Sequence, residues 1–145
     1  MIVVDARLIE EITQAAKKAF PHECCGLLAG TGNINRLVTI TQVRASSNIA
    51  LGSTRNRFEV DPKVHFDFIH ALEGTKERIV GHYHSHPNHQ AIPSEEDLKM
   101  AFDPKMLWVI ISLNENRIKE VRAHKINQSG RAFQGVPLIV SRDHQ

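Results

Sequence analysis

Apolar residues recur at helical spacing near the start of the chain, where Leu8, Ile12, Ala15, Ala16 and Ala19 fall on one stripe. Asp5 ahead of them is a capping residue type and Pro21 behind them breaks the pattern, so the spacing predicts a helix over 5–19. The period then changes. Cys25-Gly-Leu-Leu-Ala-Gly30 is a short apolar run bounded by glycine, which predicts a buried strand. Thr31-Gly-Asn33 predicts a tight turn, and the β-branched stretch 34–43 a second strand forming a hairpin with the first. Residues 44–57 are polar and contain Ser46, Ser47, Asn48, Gly52, Ser53 and Thr54; they read as the longest loop, a substrate-contacting or mobile segment.

Phe58-Glu-Val60 predicts a short strand. Asp61-Pro62 then starts a helix, with a cap followed by proline in the first turn; Val64, Phe68, Ile69 and Leu72 form its apolar face and Gly74 closes it. A strand is expected over 78–85 and a helix over 94–101 with Leu98 and Ala101 inward. Residues 106–113 are the most apolar run and read as the central strand. A turn at 114–116 leads to an alternating strand over 117–126, and 132–140 adds a last strand at an edge. No repeat, low-complexity tract or linker interrupts this order, so the expectation is one domain over 1–145 of the α/β class, a mixed sheet flanked by helices.

Composition narrows the function. In 145 residues, 41% apolar and 23% charged, a core can form without disulfide support. The net charge of +2 is spread in mixed sign with no basic run interleaved with aromatics, so no nucleic-acid partner is expected. No window has the length of a membrane span, and the N-terminus is charged too soon for a secretory signal, so a cytoplasmic protein without a membrane partner is expected. Cys24 and Cys25 are adjacent and poorly placed to pair with each other, which fits a reducing compartment.

The candidate chemistry lies in the run Gly81-His-Tyr-His-Ser-His-Pro-Asn-His-Gln-Ala-Ile-Pro-Ser-Glu-Glu-Asp97. Residues two apart on a strand share a face, so His84 and His86 aim at one point while Ser85 turns away. Pro87 stops the strand; Ser94 begins a helix and Asp97 lies one turn in, so the loop between can fold that carboxylate back to the imidazoles. His84, His86 and Asp97 are three ligands for a zinc ion with a fourth corner open, the arrangement of a catalytic rather than a structural zinc. Zinc lowers the pKa of bound water from ~15.7 towards ~7. Glu23, just ahead of the buried strand, is assigned to proton transfer, and the Ser94 hydroxyl to support of a developing oxyanion.

Each residue also has a plainer use. Ser94-Glu-Glu-Asp97 fits a helix capping box. Nine histidines make a chance His-x-His pair unsurprising, and Glu23 alone would read as a solvated loop residue. The conjunction of paired imidazoles, proline stop, serine and aspartate favours the site. His82 shares the strand face but lies deeper, and is read as a supporting or packing residue; His89 is read as exposed, and the cysteines as core. A deaminase would show a Pro-Cys-x-x-Cys run, which is absent.

His84-Ser-His-Pro87, six residues, Ser94, two residues and Asp97 resemble in type and spacing the signature of the JAMM (MPN-plus) metallopeptidases, and His22 to Gly30 is similar to the segment carrying that family's glutamate. The resemblance spans most of the chain and is nearest the short stand-alone bacterial and archaeal members. It implies a mixed α/β sheet related to the cytidine-deaminase fold, one zinc on His84, His86 and Asp97, Glu23 as general acid/base and Ser94 as oxyanion support. It further implies hydrolysis of a peptide or isopeptide bond, with the tail of a ubiquitin-like or sulfur-carrier protein as substrate. A non-catalytic scaffold for a ubiquitin-like partner, and a zinc hydrolase of another substrate class such as cell-wall peptide, stay open at this point, as does a homodimer.

Overall fold

The fold is a computed structural model that describes residues 1–101, 103–127, 129 and 132–142. Its first element is a strand the periodicity does not signal, β1 (Ile2–Asp5). Asp5 ends β1 and caps α1 (Ala6–Ala19), its carboxylate accepting from the Arg7 N–H at 2.7 Å. One residue thus closes a strand and opens a helix, and so short a strand has no room for its own alternation.

The hairpin follows as β2 (Cys25–Gly32) and β3 (Val38–Ser46), antiparallel. The turn falls at 33–36 rather than 31–33, and β3 starts and ends later than expected, so the loop before α2 (Pro62–Leu72) begins only after Ser46. Phe58–Val60 is no strand; Val60 makes a single bridge to Asn48. Asp61 caps α2 and Phe68 and Leu72 are buried as expected, but Ile69 is 48% exposed. β4 (Arg78–Pro87) runs through Pro87, beyond the end of its pairing with β2 at Cys25↔His84, where a missing N–H costs no ladder bond on that side.

α3 (Glu95–Lys99) is shorter than expected, and its buried residue is Asp97, with Leu98 half-buried. β5 (Leu107–Asn114), β6 (Arg117–Ile126), β7 (Phe133–Val136) and β8 (Leu138–Ser141) complete the chain. Among the described residues these strands form one mixed sheet in the order β7-β6-β5-β4-β2-β3-β1-β8. The central pair is therefore β4 and β2, with β5 beside them. The predicted edge strand 132–140 is two strands separated by Pro137, one on β6 and the other on β1, at opposite ends of the order.

Two ends meeting at one residue require the sheet to be rolled. Its inner face wraps α1, whose Ile12 and Ala16 pack with Ile2, Leu28, Val38, Leu107 and Val109 in the main core. Gly26 is needed here: a Cβ would stand 2.4 Å from the Tyr83 ring, which crosses from the paired strand. The outer face carries α2, with Phe68 and Leu72 on Leu27 and Ala29, and a smaller group of Cys25, Phe58 and Trp108. Cys25, His84 and His86 share that outer face by register and alternation. No described helix is long and apolar enough to cross a membrane.

Candidate metal centre

His84 and His86 project from the C-terminal end of β4 with their Nε2 atoms 3.0 Å apart. Asp97 reaches both from α3, its Oδ2 lying 3.3 Å from His84 Nε2 and 3.2 Å from His86 Nε2. The capping box is present as well: Ser94 N–H donates to Asp97 Oδ2 at 2.8 Å, and Ser94 Oγ accepts from the Asp97 N–H at 3.0 Å. The cap aims the carboxylate, so the plain reading of Ser94-Glu-Glu-Asp97 and the functional one describe the same geometry. Glu23 stands on the chain just before β2, and its carboxylate forms with His84 and His86 a set of ligand atoms all within 4.8 Å of one another.

The site is buried and well supported. His84 is fully buried, and its ring stacks on Phe58 with centroids 4.1 Å apart at 12°. Packing holds that imidazole, whereas His86 is held by a hydrogen bond, its Nδ1–H donating to the Gln90 carbonyl at 2.9 Å. A carbonyl only accepts, so the proton of a neutral His86 sits on Nδ1 and leaves Nε2 as a bare lone pair facing the site. Ser85, on the opposite face and fully buried, accepts the Cys24 N–H at 2.8 Å and returns its own N–H to the Cys24 carbonyl. It pins the chain beside Glu23.

Electrostatics here favour a cation among these side chains. Burial, and then the charge of Asp97, push the Glu23 carboxyl up to about 9, and among the described residues its Oε1 has no hydrogen-bond partner. Burial also pushes Asp97 up, but the close contacts of its carboxylate with the His84 and His86 rings and the hydrogen bond from the Ser94 N–H outweigh it and hold the carboxyl well below its ordinary value. Burial pushes His84 down from its ordinary value, opposed by Asp97. Two imidazole nitrogens and two carboxylates thus converge in a buried pocket with too few protons to satisfy one another. A cation resolves that arrangement, so the residues present fit a metal ion.

His82 stands apart. Its ring lies edge-on to Trp108 at 4.2 Å and lines a separate cavity of about 510 Å³ between α2 and β5, as suits a packing residue. Burial and the nearby His84 push it down to about 3. His89 is exposed, and both cysteines are free thiols. The segment read as the longest loop, substrate-contacting or mobile, is hydrogen-bonded to Glu23, whose N–H donates to the Thr54 carbonyl at 2.7 Å and whose carbonyl accepts from Asn48 Nδ2 at 3.0 Å. Phe58, Gln90 and Asn48 carry no chemistry of their own and leave no pattern in the sequence. Ser85 does leave one: a small polar residue on the core face of a strand must find a partner.

A rolled mixed sheet with an inner helix, bearing such a donor set on its outer face, defines the JAB/MPN class of α/β domains. Residues 5–124 match the model of the prokaryotic homologs of the JAB domain, and the chain belongs to that family. It is 32% identical over 113 residues to the desampylase of Haloferax volcanii, covering 77% of this chain and 78% of that one. It is 27% identical over 129 residues to the CysO-cysteine peptidase of Mycobacterium tuberculosis, 87% and 83% of the two chains. Among solved structures, a Desulfitobacterium hafniense protein superposes with a TM-score of 0.83 at 27% identity, covering 99% of this chain and 94% of that one. A JAB1/MPN domain protein from Archaeoglobus fulgidus shares the fold at a TM-score of 0.59 and 20% identity, over 97% and 98% of the two chains.

Proposed function

We propose that residues 1–145 act as one zinc-dependent peptidase domain that hydrolyses an amide bond at the C-terminal tail of a ubiquitin-like or sulfur-carrier protein. The observation that carries this reading is the convergence of His84 Nε2, His86 Nε2 and Asp97 Oδ2 within 3.3 Å, beside a buried Glu23 carboxyl. Those three atoms would hold the ion, and zinc when bound supplies Lewis acidity that makes water a usable nucleophile near neutral pH.

The chain's own residues then have distinct tasks. Glu23 takes the proton of the attacking water and returns it to the leaving amine. A positive charge in the cluster favours its carboxylate, which burial alone disfavours. The Ser94 hydroxyl spends one lone pair on the helix cap, so its O–H is free to donate to the developing oxyanion. Glu23, His86 and Ser94 line one cleft of about 470 Å³ together with Gln90, Ile92 and Pro93. Relatives named as a desampylase and a peptidase support amide hydrolysis, and the free thiols suit a reducing cytoplasm.

The test is to incubate the zinc-loaded chain with ubiquitin-like proteins bearing C-terminal extensions and follow intact mass. Shortening at the tail that stops with a chelator, and is absent in Glu23→Gln protein still holding one zinc, is expected. Turnover that survives Glu23→Gln would overturn the mechanism.

A further inference from the structure

Asn48 has all four hydrogen-bonding positions of its side-chain amide in use. Nδ2 donates to the carbonyls of Glu23 at 3.0 Å and Arg57 at 2.8 Å, and Oδ1 accepts the N–H groups of Ala50 and Glu59, each at 3.1 Å. The four bonds do different work. The acceptor half and one of the two donors tie the segment 47–60 to itself. The other donor reaches out of that segment to the backbone of Glu23. Six residues further along, the same segment takes the Glu23 N–H on the Thr54 carbonyl, and Thr54 Oγ1 meets His22 Nδ1 at 2.6 Å. Neither polar group of the Glu23 backbone is held by the sheet; both are held by this segment.

From this we infer that Asn48 is a positioning residue for Glu23, and that segment 47–60 sets where the Glu23 carboxyl stands. The inference rests on the reading of Glu23 as the proton-transfer group. Glu23 lies before the first residue of β2, and among the described residues its buried Oε1 has no hydrogen-bond partner to fix it. Its position is therefore inherited from its backbone, and from Ser85 gripping Cys24 on the far side. Asn56 of the same segment lines the cleft that Glu23 and Ser94 share, so the segment that holds the acid also forms part of the cleft wall.

Asn48→Asp separates this role from a merely structural one. Aspartate keeps the acceptors for Ala50 and Glu59, two of the three bonds by which this side chain ties the segment to itself, but sets an oxygen against the Glu23 carbonyl and against the Arg57 carbonyl. The zinc-loaded variant is expected to lose roughly 10-fold or more in kcat with KM changed by less than about 3-fold, the pattern of a displaced proton-transfer group. Zinc stoichiometry is expected to stay the same, and Leu51→Ser, at an 88% exposed position of the same segment, is expected to match the parent. Amide hydrogen exchange gives a readout independent of turnover: the Glu23 N–H should exchange roughly 10-fold faster or more in Asn48→Asp, while Ala50 and Glu59 keep their protection. Parent-like kcat in Asn48→Asp, or an unchanged Glu23 exchange rate, would overturn the inference. If the parent cleaves no tail at all, the peptidase reading has failed, and the exchange measurement alone still decides whether Asn48 holds Glu23.

Discussion

In the metal-free protein, Glu23 stabilises the fold least where the enzyme would work. Its carboxyl is held at about 9, against 4.5 for an ordinary glutamate, because burial and the neighbouring Asp97 charge disfavour the ionised form. Between those values the folded state keeps a proton that the unfolded state gives up. Raising the pH through this window therefore favours unfolding, by about 1.4 kcal/mol per pH unit for one such proton. Glu23→Gln preserves the shape and removes the titration. Every other ionisable group is common to the two proteins, so the difference between them isolates this one carboxyl. From pH 5 to pH 8 the glutamine variant should gain about 4 kcal/mol on the parent, which for a chain of this size is a widening of Tm by about 10 °C. The assay is thermal unfolding of both proteins in a chelator at unit steps of pH. Zinc should work in the opposite direction and shrink the advantage, since a cation favours the carboxylate. A Tm difference that is constant from pH 5 to pH 8 would refute the reasoning, because it would mean that Glu23 is already ionised in the folded, metal-free state.

Two further predictions concern groups that support the centre without touching substrate. Ser85→Ala leaves the half-buried Cys24 N–H without its acceptor and should cost about 1–3 kcal/mol in urea unfolding; a change below about 0.5 kcal/mol would show that the chain before β2 is held by other contacts. Phe58→Leu keeps an apolar residue in place but removes the ring stacked on His84, and should weaken zinc binding about 10-fold in competition with a chromophoric chelator; parent-like affinity would show that the stack does not orient the ligand.

The elements that could be read from the chain are those whose signal is local. α1 and α2 announce themselves through a cap, an apolar stripe and a terminator, and β2, β5 and β6 through runs of buried or alternating residues. β1 was hidden because Asp5 serves it and the helix at once. The division of 132–140 was hidden because Pro137 marks an edge-tolerant position without saying that the strand changes partner there. Within the site, the period of two places His84 and His86 together, and the cap spacing places Asp97. That Glu23 lies beside them depends on Cys25 pairing with His84, a long-range register that no local window contains. The stapling of 47–60 was equally invisible, since a polar stretch reads as a free loop until its hydrogen-bond partners elsewhere are known.

The passage of the last strands across Pro137 gives the C-terminal segment an unusual mechanical duty. Val136 on β6 and Leu138 on β1 are two residues apart in the chain yet fasten opposite margins of the roll, and the Pro137 carbonyl between them takes the Ile2 N–H at 2.9 Å. This short stretch acts as a clasp. Shortening the protein ahead of it would uncover unpaired backbone along β1 and β6 together, two sticky borders rather than one frayed tail, and self-association would follow.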